Sequence, residues 1–437
     1  MSTTLPDAAS TTTYSYSGNM TTVTDPAGKW KTFTSDVLGN LVTVVEPDPA
    51  NQPGGTLTTS YTYDWMNHLV GVSMPRGSTT QTRTFVYSDA GLLTSATNPE
   101  NGTVTYTYNS DNTLQYKHDA KGQDTVYTYD GSKRVTMVQR YPSGKNNAED
   151  MCQRVVYTYD SNSVNSSFSQ YSTGRLTTAQ YTACVPNSQA VTEMYSYHPA
   201  GAVTAKQMLF PCGTLDDNGN CVSEYVEADY TYNAAGQVLS YGAGSSNANQ
   251  PETIYTYGYD SMARAVSLTD NTGQWNSSGQ NTAWVQNTTY DYASRMTSMQ
   301  MLSVPNSYYG NTYQTESMTW NVNGQMTGKS WSAASLPFYP YAALVSGAVQ
   351  YNYSSTQNNG QITGVTDSIS GETIGYQYDA LKRLTSASST PTTGSTPAAW
   401  TQSFSYDGFG NLTAKVLNDD DFDCSECGDE SAFEREL

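Results

Sequence analysis

The residues of this chain with the clearest chemical potential are carboxylates that recur at regular intervals. Each follows a short aromatic segment, as do Asp64, Asp130, Asp160, Asp379 and Asp407. Two such groups brought together could serve as the acid and base of a glycosidase. A carboxylate at the first position of a turn, however, commonly accepts hydrogen bonds from backbone N–H groups. Because all of these residues stand where a turn begins, we predict that they cap turns.

Histidine and cysteine offer general-base or metal chemistry. The three histidines, His68, His118 and His198, fall in separate repeats without metal-ligand spacing. Cys424 and Cys427 form half of a zinc site, and the tail has no second pair. We therefore predict a protein that is not an enzyme, with no catalytic, metal, cofactor or assigned ligand residues.

A second acidic segment could suggest calcium. Residues 216–220 read Asp-Asp-Asn-Gly-Asn, but the glycine and the missing glutamate do not fit a calcium loop, so we interpret them as a turn. Cys212 and Cys221 flank this turn and could pair in an oxidising compartment. Their disulfide status is left open.

Exposed aromatic side chains can stack on sugars. The candidates are Trp65, Trp275, Trp284 and Trp400. Packing between neighbouring strands explains the same residues, and we favour it.

Composition narrows the partners. The chain has 437 residues, 20 Lys and Arg, 39 Asp and Glu, and a net charge of −19. Nucleic acid is excluded as a partner, because a polyanion requires clustered basic residues. No apolar stretch is long enough to span a membrane, and the first residues lack the pattern of a signal peptide.

The elements that position these residues follow from a repeat. A Tyr-x-Tyr segment followed by Asp, Asn or a small residue occurs about fifteen times. Copies begin at Tyr14, Tyr61, Phe85, Tyr106, Tyr127, Tyr157, Tyr195, Tyr230, Tyr255, Thr289, Met318, Tyr351, Tyr376 and Phe404. The pattern of each unit predicts four elements in order: a strand, a turn, a return strand and a closing turn. In the first turn, a residue such as Gly410 adopts positive φ.

The fold class is therefore all-β. Single hairpins are marginally stable, so the units must pair edge to edge, which would place their tyrosines in aromatic ladders. A long open sheet exposes its edges, which favours a strip that curves or spirals into a partial β-shell. We divide the chain into an N-terminal extension (1–13), a repeat region (14–417) and an acidic tail predicted to be disordered (418–437).

The segments YQYDALKRLTSAS and FSYDGFGNLTAKV resemble the YD repeats of the RHS (rearrangement hot spot) family. The resemblance spans roughly residues 14–417 and implies a spiralled β-shell. In bacterial members of this family, the shell encloses a toxic domain that is released by self-cleavage at a core region. No DPxGR-like segment follows FSYDGFGNLTAKVL, so self-cleavage is not predicted for this chain.

Three functional hypotheses remain. The first is a non-enzymatic shell segment of bacterial polymorphic-toxin type, which encloses or presents a toxin or other polypeptide client in bacterial competition. The second is a cell-surface module that binds glycans or proteins. The third is a truncated RHS gene product, because the repeat pattern runs close to both ends. The first two place the chain outside the cell or on its surface.

Overall fold

The computed structural model describes residues 1–51, 53–181, 190–215, 219, 221–245, 252–272, 281–304, 312–333, 346–391 and 399–419. Within these residues the regular elements are 31 β-strands in one sheet and a single 3-10 helix, Met151–Gln153. Every strand pairing observed there is antiparallel, as for the first and last hairpins. The predicted all-β class is confirmed. No helix in the described ranges has the length and apolar character needed to cross a membrane.

The strands are numbered in chain order. The first sixteen are β1 Ser2–Thr4, β2 Thr11–Ser17, β3 Met20–Thr24, β4 Trp30–Ser35, β5 Leu41–Pro47, β6 Thr56–Tyr63, β7 Leu69–Arg76, β8 Thr79–Tyr87, β9 Leu93–Asn98, β10 Gly102–Tyr108, β11 Leu114–His118, β12 Asp124–Tyr129, β13 Val135–Tyr141, β14 Val155–Tyr159, β15 Leu176–Tyr181 and β16 Val191–Tyr197. The remaining fifteen are β17 Val203–Leu215, β18 Cys221–Tyr232, β19 Val238–Ser245, β20 Thr253–Tyr259, β21 Ala265–Asp270, β22 Thr282–Tyr290, β23 Met296–Val304, β24 Thr312–Trp320, β25 Met326–Ala333, β26 Gly347–Tyr353, β27 Ile362–Asp367, β28 Glu372–Tyr378, β29 Leu384–Pro391, β30 Trp400–Tyr406 and β31 Leu412–Asp419.

The chain divides into two compact units. Unit 1 comprises Met1–Thr84, Tyr290–Ser298 and Gln314–Leu437, so it joins early and late repeats. Unit 2 comprises Phe85–Thr289 and Met299–Tyr313.

The ends of the repeat region are more regular than the sequence suggests. Residues 1–13, predicted as an extension, contain β1 and the start of β2, and Thr4 pairs with Thr11. At the other end, β31 continues through Asp419. The rest of the acidic tail lies outside the described residues.

A β-bulge recurs where the first strand of a hairpin ends. In β12 and β13, Thr128 pairs with Met137 but Tyr129 pairs with Val135, so the register skips one residue. The same shift occurs before Tyr63, Tyr378 and Tyr406. Because a bulge bends its strand and increases the local twist, the second aromatic residue of each such unit stands at a built-in bend.

Burial within the sheet is largely polar. The buried apolar side chains include Val138, Ala179, Met194 and Ala387, whereas Thr, Ser, Asn and Asp make up most of the buried polar set. Rings do stack across strands at Tyr230, Tyr241 and Tyr255, with centroids 5.4 and 6.1 Å apart. Among the described residues, hydrogen bonds between repeats are more widespread than these stacked rings.

Candidate functional site

The capped turn is the first part of the repeating contact. In the turn between β28 and β29, Asp379 Oδ1 accepts hydrogen bonds from the backbone N–H groups of Leu381 (2.8 Å) and Arg383 (2.9 Å). Its Oδ2 accepts from Arg383 Nε at 2.6 Å. Lys382 adopts a φ of +68° to close the turn. The carboxylate therefore holds the turn and its own cation.

The same capping is found at other predicted positions. Asp64, Asp130 and Asp407 each accept from two backbone N–H groups. Gly410 has a φ of +95°, as expected. For Asp407, burial raises the pKa but is outweighed by hydrogen bonds from Asn411 and the turn backbone, which hold the pKa below its ordinary value. The capping prediction is confirmed for these residues.

Asp160 departs from this pattern. It adopts a φ of +67° and accepts from the N–H of Gly174 (2.6 Å), at the far end of a longer connection. It also accepts from Arg134 Nη2 at 2.6 Å, and Arg134 is bound as well to Asp130 of the preceding repeat. The hydrogen bonds from Arg134 and Gly174 lower the pKa of Asp160 to about 2. Here the carboxylate links repeats.

The arginine that follows a capped turn forms the second part of the contact. Arg383 Nη1 donates to Asp407 O in the next repeat at 3.1 Å, and its guanidinium lies 4.7 Å from the ring centroid of Tyr406. Arg295 makes the equivalent contacts with Asn321 O and Trp320. Each arginine thus joins its own turn to the next one.

The second aromatic residue of the repeat forms the third part. Tyr406 Oη donates to Leu384 O, at the start of the preceding return strand, at 2.8 Å. The same bond to the first residue of a return strand is made by Tyr63, Tyr108, Tyr129, Tyr159, Tyr197, Tyr232, Tyr259 and Tyr378. Trp320 replaces the hydroxyl with its indole N–H, which donates to Met296 O at 2.8 Å. We call the capped turn, its cation and this aromatic donor the inter-repeat lock.

The residue types carry a signal for this lock that the sequence analysis missed. The first aromatic position accepts Phe85 or Phe404, whereas the second is Tyr or Trp in thirteen of the fourteen copies that begin between Tyr14 and Phe404, the exception being Asp291 in the copy at Thr289. A buried carbonyl needs a donor, and Phe has none. Burial raises the pKa of the Tyr108, Tyr129 and Tyr378 hydroxyls, which keeps these donors protonated.

The histidines are placed separately. His68 Nδ1 lies 3.0 Å from Asp64 Oδ2 in a capped turn, and His198 accepts from the N–H of Ala200. His118 Nδ1 lies 2.7 Å from Oδ1 of the buried Asp124 and, with Tyr116 and Lys145, lines a cleft of about 400 Å³. The sequence analysis did not anticipate this cluster.

Within this cleft the polar groups bind one another. Lys145 N–H donates to Asp124 Oδ2 at 2.6 Å, and Lys145 Nζ lies 3.3 Å from the Tyr116 ring centroid. Hydrogen bonds from Thr107 and Lys145 lower the pKa of the Tyr116 hydroxyl. The arrangement orders the β13–β14 connection against β11 and β12. Among described residues, no cluster of three or more His, Cys, Asp or Glu side chains is arranged for a metal ion.

The tryptophans differ in exposure. Trp284 Nε1 donates to Asp270 Oδ2 and Trp400 Nε1 to Glu372 Oε1, both at 2.8 Å, as expected for packing residues. Trp65 is 89% exposed on a capped turn. Trp275 lies outside the described residues.

The cysteine candidates and the second acidic segment from the sequence lie mostly outside the described residues. Cys424 and Cys427 lie outside the described residues, as do the side chains of Cys212 and Cys221 and, apart from Gly219, residues 216–220. Cys152 is disulfide-bonded.

This chain resembles a known family in part of its sequence and solved structures in its fold. Residues 358–396 match the family described as RHS Repeat. The backbone is similar to that in the crystal structure of TcdB2-TccC3, with a TM-score of 0.71 and 14% identity over 94% of this chain. Residues 358–396 therefore form an RHS repeat, and most of the chain shares its fold with this solved structure.

Two further structures are similar to this chain. The Photorhabdus luminescens Tc holotoxin pore gives a TM-score of 0.71 and 13% identity over 96% of the chain. The crystal structure of TcdB2-TccC3-Cdc42 gives 0.69 and 13% over 94%. This chain spans 21% of the length of each of these three chains. No curated protein matches it in sequence.

Proposed function

We propose that this RHS-repeat chain is a non-enzymatic wall segment that encloses or presents a secreted toxin or other polypeptide in bacterial competition. The observation that supports the proposal most strongly is the backbone similarity to TcdB2-TccC3 over 94% of the chain. A complete wall requires more sheet than one segment supplies, and the chain spans 21% of that relative. We infer that it works together with further RHS sequence or a partner subunit.

The proposed mechanism is steric. A sheet joined strand to strand by backbone hydrogen bonds presents no gap wide enough for an unfolded polypeptide or a protease. The locks join successive hairpins, so the wall resists local opening by the sum of many similar contacts. A net charge of −19 keeps such a surface soluble.

A protection experiment tests the proposal. The product of the native locus, sequenced on both sides of the codons for Met1 and Leu437, is purified intact and treated with trypsin, and surviving peptides are identified by mass spectrometry. We expect a protected polypeptide that is not wall sequence. It should become trypsin-sensitive when Tyr129, Tyr159 and Tyr378 are together replaced by Phe to weaken three locks.

The matched control replaces Tyr127, Tyr157 and Tyr376, the first aromatic residues of the same strands, by Phe. This variant keeps all three lock donors and should protect the client as the native wall does. A locus that encodes no client, or a client digested equally with and without the lock substitutions, would contradict the proposed enclosure.

A further inference from the structure

Each hairpin of unit 1 has a different kind of turn at each end of its strands, so the two sides of the sheet that carry these turns are different surfaces. One edge carries the capped turns, such as residues 379–383; we call it the capped edge. The other carries the turns that close each repeat, such as residues 25–29; we call it the closing edge. The first repeats of the chain contain both kinds of turn, and so do the last.

Within unit 1, the closing edge of the early repeats binds the capped edge of the late repeats. Lys382 Nζ lies 2.7 Å from Asp25 Oδ2, which also accepts from Asn359 Nδ2 at 3.0 Å. Arg76 Nε donates to Gly408 O at 3.0 Å. These groups belong to opposite ends of the chain, so the contact is a tertiary interface.

Two further contacts extend this interface. Asp7 and Asn323 exchange a pair of hydrogen bonds at 3.0 and 2.8 Å. The N–H of Asn358 donates at 2.9 Å to Oγ of Ser10, which is fully buried. Four early positions thus meet four successive capped turns of the late repeats.

Apolar contact accompanies the polar contacts. Leu381, at the tip of a late capped turn, lines a groove of about 310 Å³ together with Val23, Trp30 and Phe33 of the early repeats. The closing edge of the early repeats therefore contacts the tip of this late capped turn.

The early repeats carry the same capped turns, and the apolar residues at their tips are exposed. Val37 and Leu38 are 101% and 73% exposed, and Trp65 and Met66 are 89% and 37% exposed. Asn40 Nδ2 donates to Asn67 Oδ1, which holds the two turns side by side. Leu38 and Met66 occupy the turn position that Leu381 occupies in the late repeat. Exposed contiguous apolar groups of this kind mark interaction sites.

We propose that this early capped edge docks the late closing edge of a second copy of the same chain. Each copy of the chain has both a capped edge and a closing edge. The contact between Asp25 and Lys382 shows how these two kinds of edge bind each other. The described late closing turn, residues 367–372, offers Ile369, which is 54% exposed. Such a contact joins different surfaces head to tail, so it can propagate beyond a dimer. The like charge of the two copies opposes association and is screened by salt.

Sedimentation equilibrium on the full chain tests the proposal across a range of protein and salt concentrations. We expect association that strengthens with salt and that weakens by about tenfold or more in the Trp65→Asp variant, because an exposed aromatic anchor is replaced by a charge. Trp65 is exposed in the single chain, so this variant should fold normally. Val86→Asp, which changes a 54% exposed residue on β8, is the matched control and should associate as the native chain does.

Site-specific crosslinking identifies the occupant. A benzoylphenylalanine in place of Trp65, mixed with ¹⁵N-labelled chain, should crosslink to residues 367–372 of the labelled copy. A combined Trp65→Asp and Ile369→Lys variant should recover association lost in Trp65→Asp alone. A chain that stays monomeric at all concentrations, or association unchanged by Trp65→Asp, would overturn the proposal.

Discussion

Two capped turns of unit 1 have one geometry and different charge. Asp379 and Arg383 form a charged turn, in which Arg383 donates to the next repeat. Asn321 and Gln325 form a neutral turn: Asn321 Oδ1 accepts from two backbone N–H groups, both at 3.0 Å, and Gln325 Nε2 donates to Asn358 Oδ1 at 3.0 Å. These two turns therefore share an acceptor at the first turn position and a long donor four residues later. Charge is an addition to this shared geometry.

The largest expected effect comes from removing each acceptor. Asp379→Ala should lower the free energy of unfolding by about 3 kcal/mol, because two N–H groups and the Arg383 guanidinium lose their acceptor. Asn321→Ala should cost about 1.5 kcal/mol, because only neutral hydrogen bonds are lost. Urea unfolding followed by tyrosine fluorescence measures both.

Asp379→Asn serves as the control, since it retains both backbone caps on Oδ1 and removes the charge together with the acceptor for Arg383 Nε. It should cost no more than about 1 kcal/mol. Equal losses in the two Ala variants would show that the cation adds nothing to the charged turn.

A smaller effect is expected from the aromatic donors. Tyr406→Phe keeps the ring beneath Arg383 and removes only the hydroxyl, which leaves Leu384 O without this donor. We expect a loss of about 1 kcal/mol. Tyr376→Phe is the matched control, because Phe404 fills the equivalent position of the next unit. The same urea experiment distinguishes the two, and an equal response would mean that ring size, and not the hydroxyl, matters at the second position.

These comparisons also separate what could be predicted from what could not. The turn caps follow from local chemistry, since Asp407 and Gly410 act within four residues of each other. The absence of Phe from the second aromatic position indicates that the hydroxyl group there forms a hydrogen bond. The acceptor cannot be predicted in the same way, because it lies on a partner strand whose register is not evident from the sequence. The interface between Asp25 and Asn359 joins residues 334 positions apart. No local pattern in the sequence specifies which distant repeats meet in this way.

The aromatic ladders illustrate the same limit. Alternation correctly places the two tyrosines of a strand on one face, and Tyr230, Tyr241 and Tyr255 do stack. The bulge before the second tyrosine then shifts its register against the return strand. In β18 this tyrosine, Tyr232, donates to Val203 O. Pattern alone does not distinguish a stacking ring from a donating one.

The smallest expected effect is a pH dependence confined to the charged contacts. Lys382 of the charged turn binds Asp25, whereas Asn323 of the neutral turn binds Asp7 without a cation. Burial raises the pKa of Asp25, but hydrogen bonds from Lys382 and Asn359 outweigh it and hold the pKa below its ordinary value of 3.8. The backbone N–H of Lys29, which donates to Asp25 Oδ1, lowers this pKa further.

A carboxyl group whose pKa is lowered on folding stabilises the fold fully above its unfolded pKa, and this contribution is lost as pH falls through the folded value. Native chain should therefore lose stability relative to Asp25→Asn as pH falls below about 4. The difference should be no more than about 1 kcal/mol, because Asp25 is only partly buried. Urea unfolding at pH 7 and at pH 3 measures this difference. Asp25→Asn leaves one oxygen, which caps the turn in place of Oδ1, and removes the acceptor used by Lys382 and Asn359. A difference that persists unchanged at pH 3 would mean that hydrogen bonding, and not charge, joins the early and late repeats.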